Sequence, residues 1–230
     1  MSIVKKYRAE IAEIKELTND VFTLYLRSET GKFKFFPGQF LHLTLDEYDP
    51  AEAWPESRCF SMQSSPFDTL LKITYAAKGR FTQNMKRRLK AGEKIWLKLP
   101  FGDLFTQDHK KENTVFIAGG TGITPYLSLF NSKIFAEYTT PHLYAGFRSR
   151  DHNLYDKEFK LAMEINPSLS ITDFYEDKNG LIDIRNILAT HKNGNSSFFI
   201  SGPPQMIKNF KSFLLGHDVD EARIKTDDWE

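Results

Sequence analysis

The chain has 230 residues, with 31 Lys and Arg against 30 Asp and Glu, and a single cysteine. The near-neutral balance argues against a nucleic-acid binder or a polybasic membrane anchor. One thiol permits neither an internal disulfide nor an iron–sulfur cluster held by four cysteines.

The N-terminus, Met-Ser-Ile-Val-Lys-Lys-Tyr-Arg, carries no signal-peptide hydrophobic region, and no apolar run approaches membrane-spanning length. The expectation is a cytoplasmic protein with no membrane partner. The six histidines show no close metal-ligand spacing, so no metal is expected.

The first hundred residues read as short strands. Arg8–Ile14 and Val21–Arg27 alternate apolar and polar residues around the turn Thr18-Asn19-Asp20. Gln39–Leu45, Arg58–Gln63, Leu70–Ala77 and Lys94–Leu99 complete six. Regular spacing with turn signals between them predicts a small antiparallel barrel. One helix interrupts it, from Arg80 to Leu89, just after Gly79. Its run Lys86-Arg87-Arg88-Leu-Lys90 reads mainly as a solvated helix face, with an acidic docking partner as the lesser alternative. Asp46–Ser57, with Asp49-Pro50 and Trp54-Pro55 inside it, reads as a long loop of the kind that serves as a lid or is merely mobile.

The polar stretch Asp108–Asn113 is the expected boundary, giving domains 1–107 and 108–230. Beyond it, strands Thr114–Ala118, Pro141–Gly146, Leu169–Tyr175 and Ser197–Ser201 each precede a helix. The helices are expected over Pro125–Glu137, Tyr155–Ile165, Ile184–Ala189 and Pro204–Leu215, with a last strand at Arg223–Thr226. Alternating β and α segments predict a five-stranded parallel sheet with helices on both faces. Ligands of such sheets bind at the carboxyl ends of the strands. Gly119-Gly-Thr-Gly122 lies at one of those ends and opens a helix at Thr124-Pro125, a shape suited to a dinucleotide pyrophosphate.

Four motifs in order, Arg58-Cys-Phe-Ser61, Lys78-Gly-Arg-Phe-Thr82, Gly119-Gly-Thr-Gly-Ile-Thr-Pro125 and Ser201-Gly-Pro-Pro-Gln-Met206, together resemble the ferredoxin–NADP reductase superfamily. The resemblance runs from about Tyr7 to Trp229. It implies a flavin-binding barrel followed by a nicotinamide-nucleotide domain, with FAD and NAD(P)H as cofactors. Arg58 resembles the arginine that pairs with the flavin phosphate. Phe60 stands where the family usually has a tyrosine stacked on the flavin. Ser61 resembles the hydroxyl that bonds flavin N5. Tyr75 and Ala76 would line the flavin edge, and Gly79, Arg80, Phe81 and Thr82 would hold its diphosphate.

Gly119, Gly120, Thr121, Gly122, Thr124 and Pro125 would cradle the nicotinamide pyrophosphate, with Gly202, Pro203, Pro204 and Met206 as the second nucleotide motif. Ser201 replaces the family's cysteine beside the nicotinamide. The tail Asp227-Asp228-Trp229-Glu230 matches a family habit of an acidic residue and an aromatic ring near the flavin, which makes Asp228 a catalytic candidate and Trp229 a flavin cover.

The leading implication is a monomeric oxidoreductase that takes hydride from NAD(P)H onto flavin and passes electrons to ferredoxin, flavodoxin or a small-molecule acceptor. Two alternatives stand beside it: an NAD(P)H:flavin reductase, favoured by Phe60, and a flavin-binding electron-transfer subunit of a complex. Glu176-Asp177, after the third parallel strand, favour NADH by repelling a 2′-phosphate. Arg148 and Arg150, after the second, are the residues that oppose that preference.

Overall fold

The structure is a computed structural model that describes residues 3–191 and 195–227. The chain divides into two compact units, Met1–Asp103 and Leu104–Glu230. Leu104 and Phe105 belong to the core of the second unit, so the chain enters that unit ahead of the polar stretch Asp108–Asn113.

The first unit is a six-stranded antiparallel sheet in the order β4-β3-β6-β1-β2-β5. Its strands are β1 (Lys5–Thr18), β2 (Val21–Ser28), β3 (Phe40–Thr44), β4 (Ser57–Ser61), β5 (Leu71–Ala76) and β6 (Lys94–Phe101). β1 is twice the length expected, because its polar flanks hide a strand that pairs with β6 at one end and β2 at the other. Register shifts between Ile11 and Glu13 and between Glu16 and Thr18 bend it, which is how one strand turns the corner of a barrel.

The edge strands β4 and β5 are joined by Gln63, whose N–H donates to the Lys72 carbonyl at 2.8 Å, and by the Lys72 N–H, which donates to Ser64 Oγ at 3.1 Å. The barrel is thus nearly closed, and few unpaired edge groups remain in that gap. Inside, Ile11, Leu24, Leu26, Leu41, Leu43, Ile73 and Leu97 are fully buried. Each contributes about 1.5–3 kcal/mol by leaving water.

Helix α1 (Arg80–Arg88) covers the barrel with Phe81 and Met85. Its basic last turn is tied down. Lys86 donates to the Asn19 carbonyl at 2.6 Å, and Arg88 donates to the Leu45 carbonyl at 2.9 Å and pairs with Asp46. Cations there also complement the helix dipole. The positive run is therefore largely engaged by the chain itself. The loop before β4 is pinned as well, with the buried Tyr48 ring lying between Trp54 and Trp96 at 5.2 and 5.4 Å.

The second unit is a five-stranded parallel sheet in the order β11-β10-β7-β8-β9. The strands are β7 (Val115–Gly119), β8 (His142–Phe147), β9 (Ser170–Tyr175), β10 (Phe198–Ser201) and β11 (Ile224–Thr226). Helices α2 (Thr124–Phe130) and α3 (Asp156–Ile165) bury their apolar sides in one core with Phe116, Tyr126, Phe135 and Phe199. Helices α4 (Ile184–Thr190) and α5 (Pro204–Leu215) pack in the other, with Val115, Ile117, Phe198 and Ile200.

The helix expected over Pro125–Glu137 is two pieces. α2 stops at Phe130, and a 3-10 turn over Lys133–Glu137 follows, capped by the Ser132 hydroxyl. The apolar period runs straight through the break, which is why the sequence pattern does not reveal it. Ser132 competes for backbone donors in the way that favours a new helix start. Among the described residues no helix is long and apolar enough to cross a membrane.

A polar cluster joins β8 and β9 to His191, the residue that ends α4. His142 stacks on Tyr144 at 4.0 Å and shares a hydrogen bond with Thr172, while Tyr144 shares one with His191 at 2.9 Å. Burial, reinforced by the neighbouring His191, pushes the His142 imidazole from its ordinary 6.5 down to about 4. Burial lowers His191 too.

The unfolded chain thus takes up these protons more readily than the folded one, and stability falls as pH drops from about 6.5 towards 4. Because His142 is only half buried, its share is on the order of 1–2 kcal/mol. Denaturant midpoints should fall between pH 7.5 and pH 5 in the parent chain. His142→Gln, which keeps a partner for Thr172, should lose distinctly less. Equal acid sensitivity would clear the cluster of this role.

Candidate functional site

In the first unit the site residues gather where β4, β5 and the start of α1 meet. Gly79 caps α1 without a side chain, and open space lies where a Cβ would sit, with no atom within 4 Å. The Thr82 hydroxyl accepts from the Lys78 and Gly79 N–H groups, both at 3.1 Å, so it holds the turn while no side chain caps the first turn of the helix. Free helix-start N–H groups favour an anion.

Two guanidiniums stand at this point. Arg58 lies over the Phe81 ring at 5.4 Å and donates to the Ser57 carbonyl at 2.8 Å. Arg80 is the first residue of α1. Both reach Glu56 Oε1, at 3.3 and 2.9 Å. Glu56 belongs to none of the four motifs; it sits in the bend just before β4, and only its position two residues before Arg58 hints at the pair.

Phe60 and Tyr75 are buried. Tyr75 stacks on Phe22 at 5.5 Å and meets Phe60 edge-on at 6.2 Å, and burial raises its phenol to about 12, so it stays protonated. Ala76, the last residue of β5, is half buried. Ser61 is a buried residue, and its hydroxyl makes no hydrogen bond to another described residue. Cys59 lies between these residues in the chain but faces His42 at 3.6 Å, and burial pushes its thiol up, which leaves it a poor nucleophile. The open glycine, the paired guanidiniums and the uncapped helix start fit a phosphate-bearing flavin.

In the second unit two loops from distant parts of the sequence meet at the carboxyl ends of β7 and β10. A Cβ on Gly122 would come within 2.5 Å of Gly202 Cα and 2.6 Å of its nitrogen. One on Gly119 would meet Pro203 at 2.9 Å and Met206 Sδ at 3.0 Å. These glycines serve mutual packing of the two motifs. Gly120 is the exception: it is exposed, left-handed at φ +55°, and has nothing within 4 Å of a Cβ, so the turn offers its backbone to a ligand there.

Thr121 and Gly122 complete a 3-10 turn over Gly120–Ile123, and α2 follows from Thr124, with Pro125 second rather than first. Thr124 Oγ1 donates to the Thr121 carbonyl at 2.9 Å, and both Thr124 and Pro125 are buried. They hold the turn from below. Pro203 and Pro204 are exposed at the start of α5.

Ser201 is buried, and its hydroxyl donates to Asp227 Oδ2 at 3.0 Å. Asp227 closes β11, its N–H bonded to the Ile200 carbonyl. Asp228 and Trp229 lie outside the described residues.

Glu176 and Asp177 are exposed just past β9, and Arg148 and Arg150 just past β8. The two loops are joined through the backbone, Glu176 N–H to the Phe147 carbonyl at 2.9 Å and Asp177 N–H to the Arg148 carbonyl at 3.2 Å. Beneath them Tyr175 donates to Asp173 Oδ2 at 3.1 Å and Asn153 reaches the Tyr175 hydroxyl at 3.3 Å, fixing both loops. Among the described residues no three His, Cys, Asp or Glu side chains gather to hold a metal.

The model of the FAD-binding domain matches residues 6–125, and that of the oxidoreductase NAD-binding domain matches residues 116–212. The reductase component of propane 2-monooxygenase from Mycolicibacterium smegmatis is 26% identical over 96% of this chain and 67% of its own length. The ferredoxin reductase in carbazole 1,9a-dioxygenase superposes with a TM-score of 0.75 at 22% identity, covering 97% of this chain and 69% of that one. Ferredoxin-NADP+ reductase from Plasmodium falciparum gives 0.74 at 21%, covering 96% and 95%.

The glycine contacts have a measurable consequence. Gly122→Ala forces a methyl onto backbone that cannot yield and should cost about 3 kcal/mol or more. Gly120→Ala meets only the left-handed backbone penalty, about 1 kcal/mol. Denaturant unfolding of the two variants checks the difference, and equal losses would contradict it.

Proposed function

The chain belongs to the ferredoxin–NADP reductase superfamily of FAD- and NAD(P)-binding oxidoreductases, and from that premise we propose that it takes hydride from NAD(P)H onto the N5 atom of bound FAD and delivers the electrons to a separate acceptor. The observation that carries this reading is the anion site at the start of α1, where Arg58 and Arg80 converge beside the open Gly79. It lies in the stretch matched to the FAD-binding domain.

Each unit has its task. In the first, the guanidiniums bind the flavin phosphates, Phe60 and Tyr75 shape the ring pocket, and Ser61 offers N5 a hydroxyl that no other described residue claims. In the second, Gly120 and Thr121 present backbone N–H groups to the nicotinamide pyrophosphate, with Gly119, Gly122, Gly202, Pro203, Pro204 and Met206 as the packed support. Ser201, with its proton turned to Asp227, presents lone pairs as an acceptor for the carboxamide. Asp228 and Trp229 lie outside the described residues, and their assignment stays the one the family resemblance implies.

The acceptor is a protein. Support comes from the relatives, one named as a reductase component of a monooxygenase and one as a ferredoxin reductase in a dioxygenase. A ferredoxin, a flavodoxin or an oxygenase component fits that chemistry, with the chain acting as a monomer. Phe60 supports a second reading, a reductase that uses flavin as a diffusing substrate, because phenylalanine stacks without the hydroxyl anchor of tyrosine.

Two measurements test these readings. The purified chain should be yellow, release FAD on denaturation as judged by mass spectrometry, and bleach anaerobically on adding NADH. Release of FMN alone would end the FAD assignment, and a colourless protein that reduces added flavin would establish the second reading. The preference should be for NADH by about tenfold or more in kcat/KM, since two carboxylates beside a 2′-phosphate cost a few kcal/mol and about 1.4 kcal/mol is tenfold. Glu176→Gln with Asp177→Asn should narrow the gap. A higher kcat/KM with NADPH in the parent chain would assign the choice to Arg148 and Arg150.

A further inference from the structure

Among the described residues, Glu56 is the carboxylate that meets the candidate flavin-phosphate site, and its Oε1 bridges both guanidiniums, at 3.3 Å to Arg58 and 2.9 Å to Arg80. One oxygen shared between two guanidiniums is also the way a phosphate oxygen is held by an arginine pair. We propose that Glu56 is an internal stand-in for the flavin phosphate: it occupies the arginines when no flavin is bound, and it must give them up for flavin to enter. The inference rests on the flavin reading above and adds to it a residue that sets how tightly flavin is retained.

Three features support it. Pro55 precedes Glu56, and the loop behind is pinned by Tyr48 between Trp54 and Trp96, so the carboxylate is delivered to the site by an anchored segment. Arg58 also has two contacts that do not involve Glu56, with the Ser57 carbonyl and the Phe81 ring. Glu56 and both arginines are substantially exposed, with side chains 47%, 52% and 79% accessible, so exchange needs no opening of the core.

The electrostatic balance follows. A site of two guanidiniums and one carboxylate attracts a phosphate less than the guanidiniums alone would, and the carboxylate must be displaced at the cost of two exposed ion pairs. Exposed pairs contribute little each, so removing the competitor should strengthen phosphate binding about three- to tenfold, and salt should erode the gain.

The test is equilibrium dialysis of the full chain against FAD, FMN and riboflavin, with free flavin read by fluorescence. Glu56→Gln is expected to bind FAD and FMN about three- to tenfold more tightly than the parent at low salt. Riboflavin, which has no phosphate, should bind both proteins alike, and the gain for FAD should shrink in high salt. Glu56→Ala should behave as Glu56→Gln does, which excludes a new contact from the amide. Unchanged FAD affinity in both variants would show the bridge to be an idle surface pair and overturn the proposal. Weaker FAD binding would also overturn it, because Glu56 would then be orienting the arginines in favour of flavin. Equal tightening of riboflavin would place the effect away from the phosphate and overturn it too. If the parent and both variants bind none of the three flavins, the flavin reading itself fails. A parent that binds FAD while Glu56→Gln shows no gain refutes this inference alone.

Discussion

The second unit depends on one steric constraint, the approach of the Gly119–Gly122 turn to Gly202. These segments lie some eighty residues apart in sequence, yet the β7–β10 ladder brings their ends together in register, Ala118 opposite Ser201. At Gly122 there is no space for even a methyl group. The close contact fixes where the backbone of Gly120 emerges and how Ser201 faces Asp227. A parallel sheet buried on both faces by aromatic and branched side chains supplies the rigidity that makes so tight an approach possible.

The two candidate anion sites differ in kind. The first uses charged side chains that converge from β4 and α1, strong and adjustable but in need of a counterion when empty. The second uses backbone dipoles at a turn, which carry no net charge and need none. Arg58 and Arg80 accordingly come with Glu56, while no acidic residue lies in the turn around Gly120.

Much of this was legible in the sequence, because local patterns carried it. Alternation together with regular spacing and turn signals marked β2 to β6, and the βα rhythm marked the parallel sheet to within a residue or two at most ends. What escaped depended on long-range geometry. The full length of β1 was hidden by charged residues that face solvent on a strand with two partners. The break at Asn131-Ser132 was hidden because apolar residues kept helical spacing across it. At the site, motif residues could be named but not sorted. The sequence does not distinguish Gly120, open to solvent, from Gly119 and Gly122, sealed against the other loop. Nor does it reveal that Arg58 and Arg80 share Glu56, a contact between a strand and a helix start.

The aromatic pin beneath the loop before β4 has a spectroscopic consequence. Trp54 and Trp96 both lie within about 5.5 Å of the Tyr48 ring, and both belong to the first unit. Among the described residues the second unit contains no indole, although one of its cores packs Phe116, Phe130, Phe135 and Phe199 together. With Trp229 replaced by Phe, selective excitation of tryptophan therefore observes this loop and its anchorage. Emission that moves to longer wavelength would report water reaching that anchor, the same segment that carries Glu56 to its arginines. The protein thus has a built-in optical reporter on one side of its chemistry, needing no added label.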